Sequence, residues 1–267
     1  MRCAVLGDPI AHSLSPVLHD AGYAARGLDW TYEAHRVAEG GLPGFLATLD
    51  DSWRGLSLTM PLKREAAGLA TVVSDRARLA GAANTLILRR PGMLADNTDI
   101  PGAVAAIRER YDGQVTAATI LGGGATATST ALALCDLGAT TVRLLVRSPE
   151  RAAETVTAVR RHPSAPQVLV GQLATDPVEG EVVVSTIPAE AQTDDLVARA
   201  TQAPVVFEVL YHPWPTPLAA AATGVLVGGL DLLVHQAAVQ FEMFTGEEAP
   251  LPAMRAAGEA ELARRSR

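Results

Sequence analysis

Aromatic side chains are scarce in these 267 residues. They make up 4% of the chain, although 48% of it is hydrophobic. The core must therefore be filled by alanine, valine and leucine. Cysteine is scarcer still: Cys3 and Cys135 both lie in apolar surroundings, as small core residues do, which argues against a disulfide framework or a metal pair. No apolar stretch reaches the roughly 18 residues of a membrane span. The first strand-like segment follows no signal peptide, so a cytoplasmic protein is expected. Runs of like charge are missing, and with a net charge of −7 the surface is not basic. That excludes nucleic acid as an expected partner, because phosphate binding needs positive potential. The six histidines show no metal-ligand spacing, so no metal is expected. Repeats and low-complexity segments are absent too. The length suggests one large or two modest domains.

What is present is organised around residues 115–147. An apolar run, 115–121, leads into Gly122-Gly123-Gly124-Ala125-Thr126-Ala127. A helical pattern follows to Leu137, Gly138 stops it, and a β-branched run over 141–146 ends on Arg147. This order of strand, glycine turn, helix and strand places a dinucleotide pyrophosphate on a helix N-terminus, where free N–H groups and the dipole favour anions. Gly122 would make the tight turn, Gly124 would admit phosphate close to the backbone, and Ala127 would let the helix sit against the strand. An acidic residue at the end of the second strand would hold a ribose 2′-hydroxyl. The chain has Arg147-Ser148 there instead, with Arg151 following. Arginine suits a 2′-phosphate, so the expected cofactor is NADP.

Towards the N-terminus, residues 3–6 read as a buried strand followed by Gly7-Asp8-Pro9-Ile10-Ala11-His12-Ser13-Leu14-Ser15-Pro16. Ser15 reads as a helix cap with Pro16 at the first helical position, and hydroxyls in this loop also suit a small polar ligand. Residues 30–37 alternate like a half-exposed strand, and 41–49 are helical. Residues 56–60 form a buried strand ending in Pro61-Leu62-Lys63. Lys63 either opens the next helix or sits partly desolvated, where its proton becomes available for transfer. One or two short helices fill 64–80. A hairpin of 86–89 and 93–95 turns at Pro91-Gly92. Asp99 would cap a helix running to about Tyr111. Further on, 168–170, 182–185, 205–209 and 225–227 are continuous apolar runs alternating with helices, the pattern of strands buried on both faces of a parallel sheet. A proline-dense loop follows Glu208, and an amphipathic helix with a frayed basic tail runs from Leu251 to the end.

Taken together, GDPIAHSLSP, LTMPLK, GAANTL, DNTDIPG, GGGATA, the VRSPER segment, STIP, VLYHPWPTPL and HQAAVQF resemble the shikimate dehydrogenase family. They occur in the family's order over residues 5–245, so nearly the whole chain is covered. TMPLK, DNTD and YHPWPTPL are similar to actinobacterial members in particular. The resemblance implies reversible, NADPH-dependent reduction of 3-dehydroshikimate to shikimate in aromatic amino-acid biosynthesis. It implies an α/β fold with an N-terminal substrate domain (1–101, joined by 236–267) and a doubly wound Rossmann-type NADP domain (102–235). The C-terminal helices would pack back on the first domain, and the two domains would share a cleft.

Carried over by residue, Ser13 and Ser15 hold the substrate carboxylate with help from Tyr211. Thr59, Asn84, Asp99 and Gln236 hold ring hydroxyls, with Ser57 a weaker contact. Lys63 and Asp99 are the catalytic pair. Gly122, Gly123, Gly124, Ala125, Thr126, Arg147, Ser148 and Arg151 bind NADP, and Thr186, Val209 and Gly229 line its nicotinamide end. Ser57 stands where many members have asparagine, Val146 likewise, and Asp231 where methionine is frequent. The competing expectations are a quinate/shikimate dehydrogenase of broader specificity and a non-catalytic NADPH-binding sensor. Arg147 and Arg151 speak against the first, and retention of Lys63 and Asp99 speaks against the second. The expected partner is a small-molecule substrate, acted on by a monomer or homodimer.

Overall fold

The computed structural model describes residues 1–89 and 92–265. It divides into two compact units, one of residues 1–98 with 233–267 and one of residues 99–232. In the first, the strands and helices are β1 (Arg2–Gly7), α1 (Ser15–Arg26), β2 (Thr31–Arg36), α2 (Leu42–Leu46), β3 (Trp53–Leu58), α3 (Lys63–Leu69), β4 (Val72–Val73), α4 (Asp75–Ala80), β5 (Thr85–Arg89) and β6 (Gly92–Asp96). In the second come α5 (Asp99–Arg110), β7 (Ala117–Leu121), α6 (Ala125–Asp136), β8 (Thr141–Val146), α7 (Ala153–Arg160), β9 (Gln167–Gln172), β10 (Val182–Ser185), α8 (Asp194–Ala200), β11 (Val205–Glu208), α9 (Pro217–Ala221) and β12 (Val225–Val227). Helix α10 (Gly229–Thr245) gives its first turn to the second unit and the rest to the first, and α11 (Leu251–Arg265) belongs to the first.

The first unit carries a mixed sheet in the order β2-β1-β3-β5-β6-β4. Strand β1 runs parallel to β2 and β3, whereas β5 is antiparallel to both β3 and β6. Its core holds Leu6, Leu42, Leu56, Leu62 and Leu86 at 0% exposure. Burying each such side chain is worth about 2 kcal/mol. Helices α1 and α11 pack on each other. Gly7, at the end of β1, has no room for a side chain: a Cβ there would collide with the Thr59 methyl and the Met60 carbonyl. That close approach brings the loops after β1 and β3 together.

The second unit carries a wholly parallel sheet in the order β12-β11-β10-β7-β8-β9. Read from the far edge as 3-2-1-4-5-6, this is the doubly wound order, with its switch point between β7 and β10. The central strands β10 and β11 are buried throughout, as continuous apolarity implies. The edge strand β9 departs from that expectation. None of its residues is buried and Val170 is 42% exposed, because an edge strand has a neighbour on one side only.

Other local expectations are also revised. Helix α2 ends at Leu46, short of the expected 49. The stretch 64–80 contains a short strand, β4, between its two helices. In the hairpin, Pro91 lies outside the described residues. Helix α11 holds its basic end by pairing: Arg264 and Arg265 both bond Glu261, and Arg265 also donates to the His12 carbonyl. Ser266 and Arg267 lie outside the described residues.

Candidate active site

In the first unit, the loop after β1 carries Ser13 and Ser15. Ser15 is the first residue of α1 and not its cap, since Leu14 occupies the cap position without a side-chain hydrogen bond. Ser13 Oγ accepts the Ser15 N–H at 3.3 Å. Ser15 is 5% exposed as a residue, and its hydroxyl bonds nothing among the described residues while keeping access to solvent. Thr59, half-buried just past β3, has a hydroxyl that is likewise unspent among the described residues. Two accessible hydroxyls with no protein partner among the described residues, near the ends of adjacent strands, suit a polar ligand. The turn closed by Leu62 N–H to the Thr59 carbonyl, 2.9 Å, delivers Lys63 half-buried as the first residue of α3. The Lys63 carbonyl accepts the Ala83 N–H at 2.7 Å, which ties this turn to the loop leading into Asn84.

Asn84 is 2% exposed and sits at the centre of a polar network. Its Nδ2 donates to Thr98 Oγ1 at 2.9 Å and to Gln236 Oε1 at 3.3 Å, and its Oδ1 accepts from the Thr98 N–H at 2.7 Å. Gln236 donates to the Leu233 carbonyl. Gln240, four residues on and therefore on the same helix face, donates to the Asn84 carbonyl and to Thr85 Oγ1.

Ser57 is placed differently from the expectation. It is 4% exposed, donates to Gln240 Oε1 at 2.8 Å and accepts from the Tyr32 hydroxyl. Its hydroxyl is committed behind the network and supports Gln240 in place of reaching a ligand. Asp96 stiffens the same region. Burial works against its charge, but a bidentate bond to Arg76 and a bond from Ser74 hold its carboxyl below the usual carboxylate range.

The second unit supplies Asp99, 6% exposed, as the first residue of α5. It also holds the glycine turn. Gly122 has φ +116°, a conformation that glycine adopts without strain, and a Cβ there would collide with the Thr186 hydroxyl across the switch point. That hydroxyl donates to the Leu121 carbonyl at 2.8 Å. Gly123 is tight against the Arg151–Ala152 backbone, whereas Gly124 faces open space, with no atom within 4 Å of a Cβ position. The first rung of α6 runs from the Thr128 N–H to the Gly124 carbonyl, so the N–H groups of Ala125, Thr126 and Ala127 precede the ladder. Ala127 is fully buried, letting the helix approach the sheet.

Arg147 ends β8 exposed, and Arg151 is exposed in a short 3₁₀ turn, Pro149–Ala152. Neither guanidinium makes a hydrogen bond or ion pair among the described residues, and Ser148 donates to Glu150. This combination fits NADP: a left-handed glycine turn, open space, unsatisfied first-turn donors and two unpaired guanidinium groups.

Val209 and half-buried Tyr211 lie in the loop after β11. Gly229 is held to glycine by that loop, because a Cβ would overlap the backbone of Val209 and Leu210. Asp231 is turned to structural use: it accepts the Gly228 N–H at 3.0 Å and pairs with Arg110 at 2.9 Å. Sequence reasoning did not single out Gln240, Thr98, Arg76 or Glu208 as supports. Gln240 carries the same i, i+4 spacing from Gln236, and Glu208 stands out as a carboxylate ending an otherwise apolar strand.

Comparison with known proteins agrees with these arrangements. Residues 5–86 match a family model described as the shikimate dehydrogenase substrate binding domain, and residues 229–257 one described as the shikimate 5′-dehydrogenase C-terminal domain. A shikimate dehydrogenase (NADP(+)) from Moorella thermoacetica is 31% identical over 94% of this chain and 90% of its own length. Among solved structures, the Mycobacterium tuberculosis shikimate dehydrogenase superposes with a TM-score of 0.86 at 39% identity, covering 97% of this chain and 99% of that one. The Thermus thermophilus shikimate 5-dehydrogenase in complex with NADP(H) and shikimate superposes with a TM-score of 0.83 at 28% identity, over 97% and 99%.

Proposed function

The chain belongs to the shikimate dehydrogenase family, and from that premise we propose which of its residues carry the reversible, NADPH-dependent reduction of 3-dehydroshikimate to shikimate. The unspent hydroxyls of Ser15 and Thr59 carry the substrate half of this reading. Ser15, with Ser13 and Tyr211, receives the substrate carboxylate. Thr59, Asn84, Gln236 and Asp99 receive ring hydroxyls. The bond from Asn84 to Gln236, long at 3.3 Å, is the one a ring hydroxyl replaces. Ser57 acts through Gln240.

When bound, NADPH supplies the hydride. The Gly122–Thr126 turn holds its pyrophosphate, Arg147, Ser148 and Arg151 its 2′-phosphate, and Thr186, Val209 and Gly229 its nicotinamide end. Negative charge growing on the ketone oxygen is met by the Lys63 ammonium, which neutralises it and hands over a proton. Asp99 accepts from the neighbouring hydroxyl and orients it. In the reverse direction the neutral amine takes the hydroxyl proton back. Most substrate-binding residues belong to the first unit, with Asp99 and Tyr211 from the second, and the cofactor-binding role belongs to the second. A cytoplasmic location belongs to the same proposal, supported by two cysteines that are buried free thiols.

Lys63→Ala tests the assignment. Turnover of shikimate with NADP, followed at the nicotinamide absorbance band, is expected to fall by about 10²–10⁴-fold. Shikimate binding, measured by calorimetry, should persist. Near-full activity in this variant would remove Lys63 from the reaction.

A further inference from the structure

Glu208 ends strand β11 at 0% exposure, and the catalytic scheme above makes no use of it. Its Oε1 accepts the Leu210 N–H at 3.0 Å. Its Oε2 accepts from Gln192 Nε2 at 2.7 Å and from Thr216 Oγ1 at 2.9 Å. All three donors are neutral. Gln192 extends the reach: its Nε2 also donates to Ser185 Oγ at 3.2 Å, and its Oε1 accepts the Leu218 N–H at 2.9 Å. Thr216 in turn accepts the Ala219 N–H and caps α9. One buried carboxylate thus gathers both ends of the segment 209–216 and Gln192, which follows the 3₁₀ turn 189–191 beyond the neighbouring strand β10.

The segment needs such an anchor. Pro213, Pro215 and Pro217 have no N–H to donate, so it cannot be tied down by a backbone ladder. Its backbone bond to the sheet stops at the Val209 N–H, which donates to the Ser185 carbonyl at 3.2 Å; beyond it, the Leu210 N–H and the Leu218 N–H after Pro217 are held by side chains.

We propose that Glu208 is the positioning residue of this loop, fixing Val209 for the nicotinamide end of the cofactor and Tyr211 for the substrate carboxylate. The inference rests on the reading of Val209 and Tyr211 given above. Charge-assisted bonds are the strong kind, and burial raises the carboxyl pKa, opposed by the Leu210, Gln192 and Thr216 bonds. An amide cannot reproduce the arrangement. In Glu208→Gln one oxygen becomes an NH₂ group, which faces either the Leu210 N–H or the Gln192 and Thr216 donors.

The test uses Glu208→Gln in the full chain. We expect the shikimate and NADP KM values to rise about ten-fold, the loss of one strong hydrogen bond, with kcat changing less than about three-fold. Iodide quenching of Trp214, which lies in the loop at 44% exposure and is isolated by difference from Trp214→Phe, should increase. Gln192→Met, which removes one donor and the Leu218 acceptor, should move the same quantities in the same direction, and it carries the test if Glu208→Gln does not fold. A lowered Tm with unchanged KM values would make Glu208 merely structural and overturn the proposal. Tyr211→Phe separates the two ideas. An unchanged shikimate KM there defeats the reading of Tyr211, whereas a raised KM there with no change in Glu208→Gln defeats the role of Glu208.

Discussion

Arg147 and Arg151 show what a single residue type decides. Both are exposed and unpaired among the described residues, at the end of the strand where a carboxylate would select a bare ribose. An arginine kept for the fold would be paired or packed along its stem. Arg147→Ala is therefore expected to raise the NADP KM about ten-fold or more while leaving the shikimate KM within about two-fold. Initial-rate kinetics with each substrate varied will show it, and an unchanged NADP KM would argue against the phosphate assignment. Local placement was legible in the sequence, as at Lys63, which opens α3 half-buried after a proline-containing turn. The bonding of a side chain was illegible where long-range partners decide it. Ser57 reads as a ligand-facing hydroxyl until Tyr32 and Gln240 arrive from 25 and 183 positions away. Asp231 reads only as a departure from methionine, and it is Arg110 and the Gly228 N–H that claim its two oxygens.

At the scale of elements, the strand–turn–helix–strand of 117–146 was readable because each piece has a local cause: continuous apolarity, a glycine with positive φ, alanine on the packed helix face and β-branched residues in the second strand. Strand β9 was misjudged as buried on both faces because its valines match the pattern of central strands. Position at the sheet edge is a property of the topology and not of the segment. The start of α1 was misjudged by one residue because Ser15-Pro16 is a strong local cap signal that Ser13 pre-empts. Helix α10 begins so close to the loop after β11 that Gly229 has no space for a methyl group. Gly229→Ala should therefore cost about 1–3 kcal/mol, as overpacking against backbone does, and raise the NADP KM. The urea midpoint and the kinetics check the two halves separately.

At the scale of the whole molecule, the first unit's core carries a titratable liability. The His19 ring is fully buried, stacked on Tyr32 with centroids 4.2 Å apart, and neither ring nitrogen has a hydrogen-bond partner among the described residues. Burial lowers its pKa from 6.5 to about 3. Below pH 6.5 the unfolded chain takes up a proton that the folded chain refuses, so stability falls as pH drops from 6.5 towards 3 and is level above that window. His19→Phe removes the titration while retaining an aromatic ring on Tyr32. Urea midpoints measured at pH 7.5 and pH 4.5 should differ less in the variant than in the parent protein. An equal difference would clear His19 of responsibility for acid sensitivity.

Cys3 and Cys135 are distributed one to each unit, in β1 and α6, at 0% and 3% exposure. Burial pushes their thiols up to about 11 and about 12, so at neutral pH almost no thiolate is presented to a reagent. Each is thereby a silent clock for its own half of the molecule. Incubated with a maleimide, the protein should acquire label only as fast as local opening exposes each sulfur. Peptide mapping then gives two independent rates from one tube. Adding NADP should slow the labelling of Cys135, and shikimate that of Cys3.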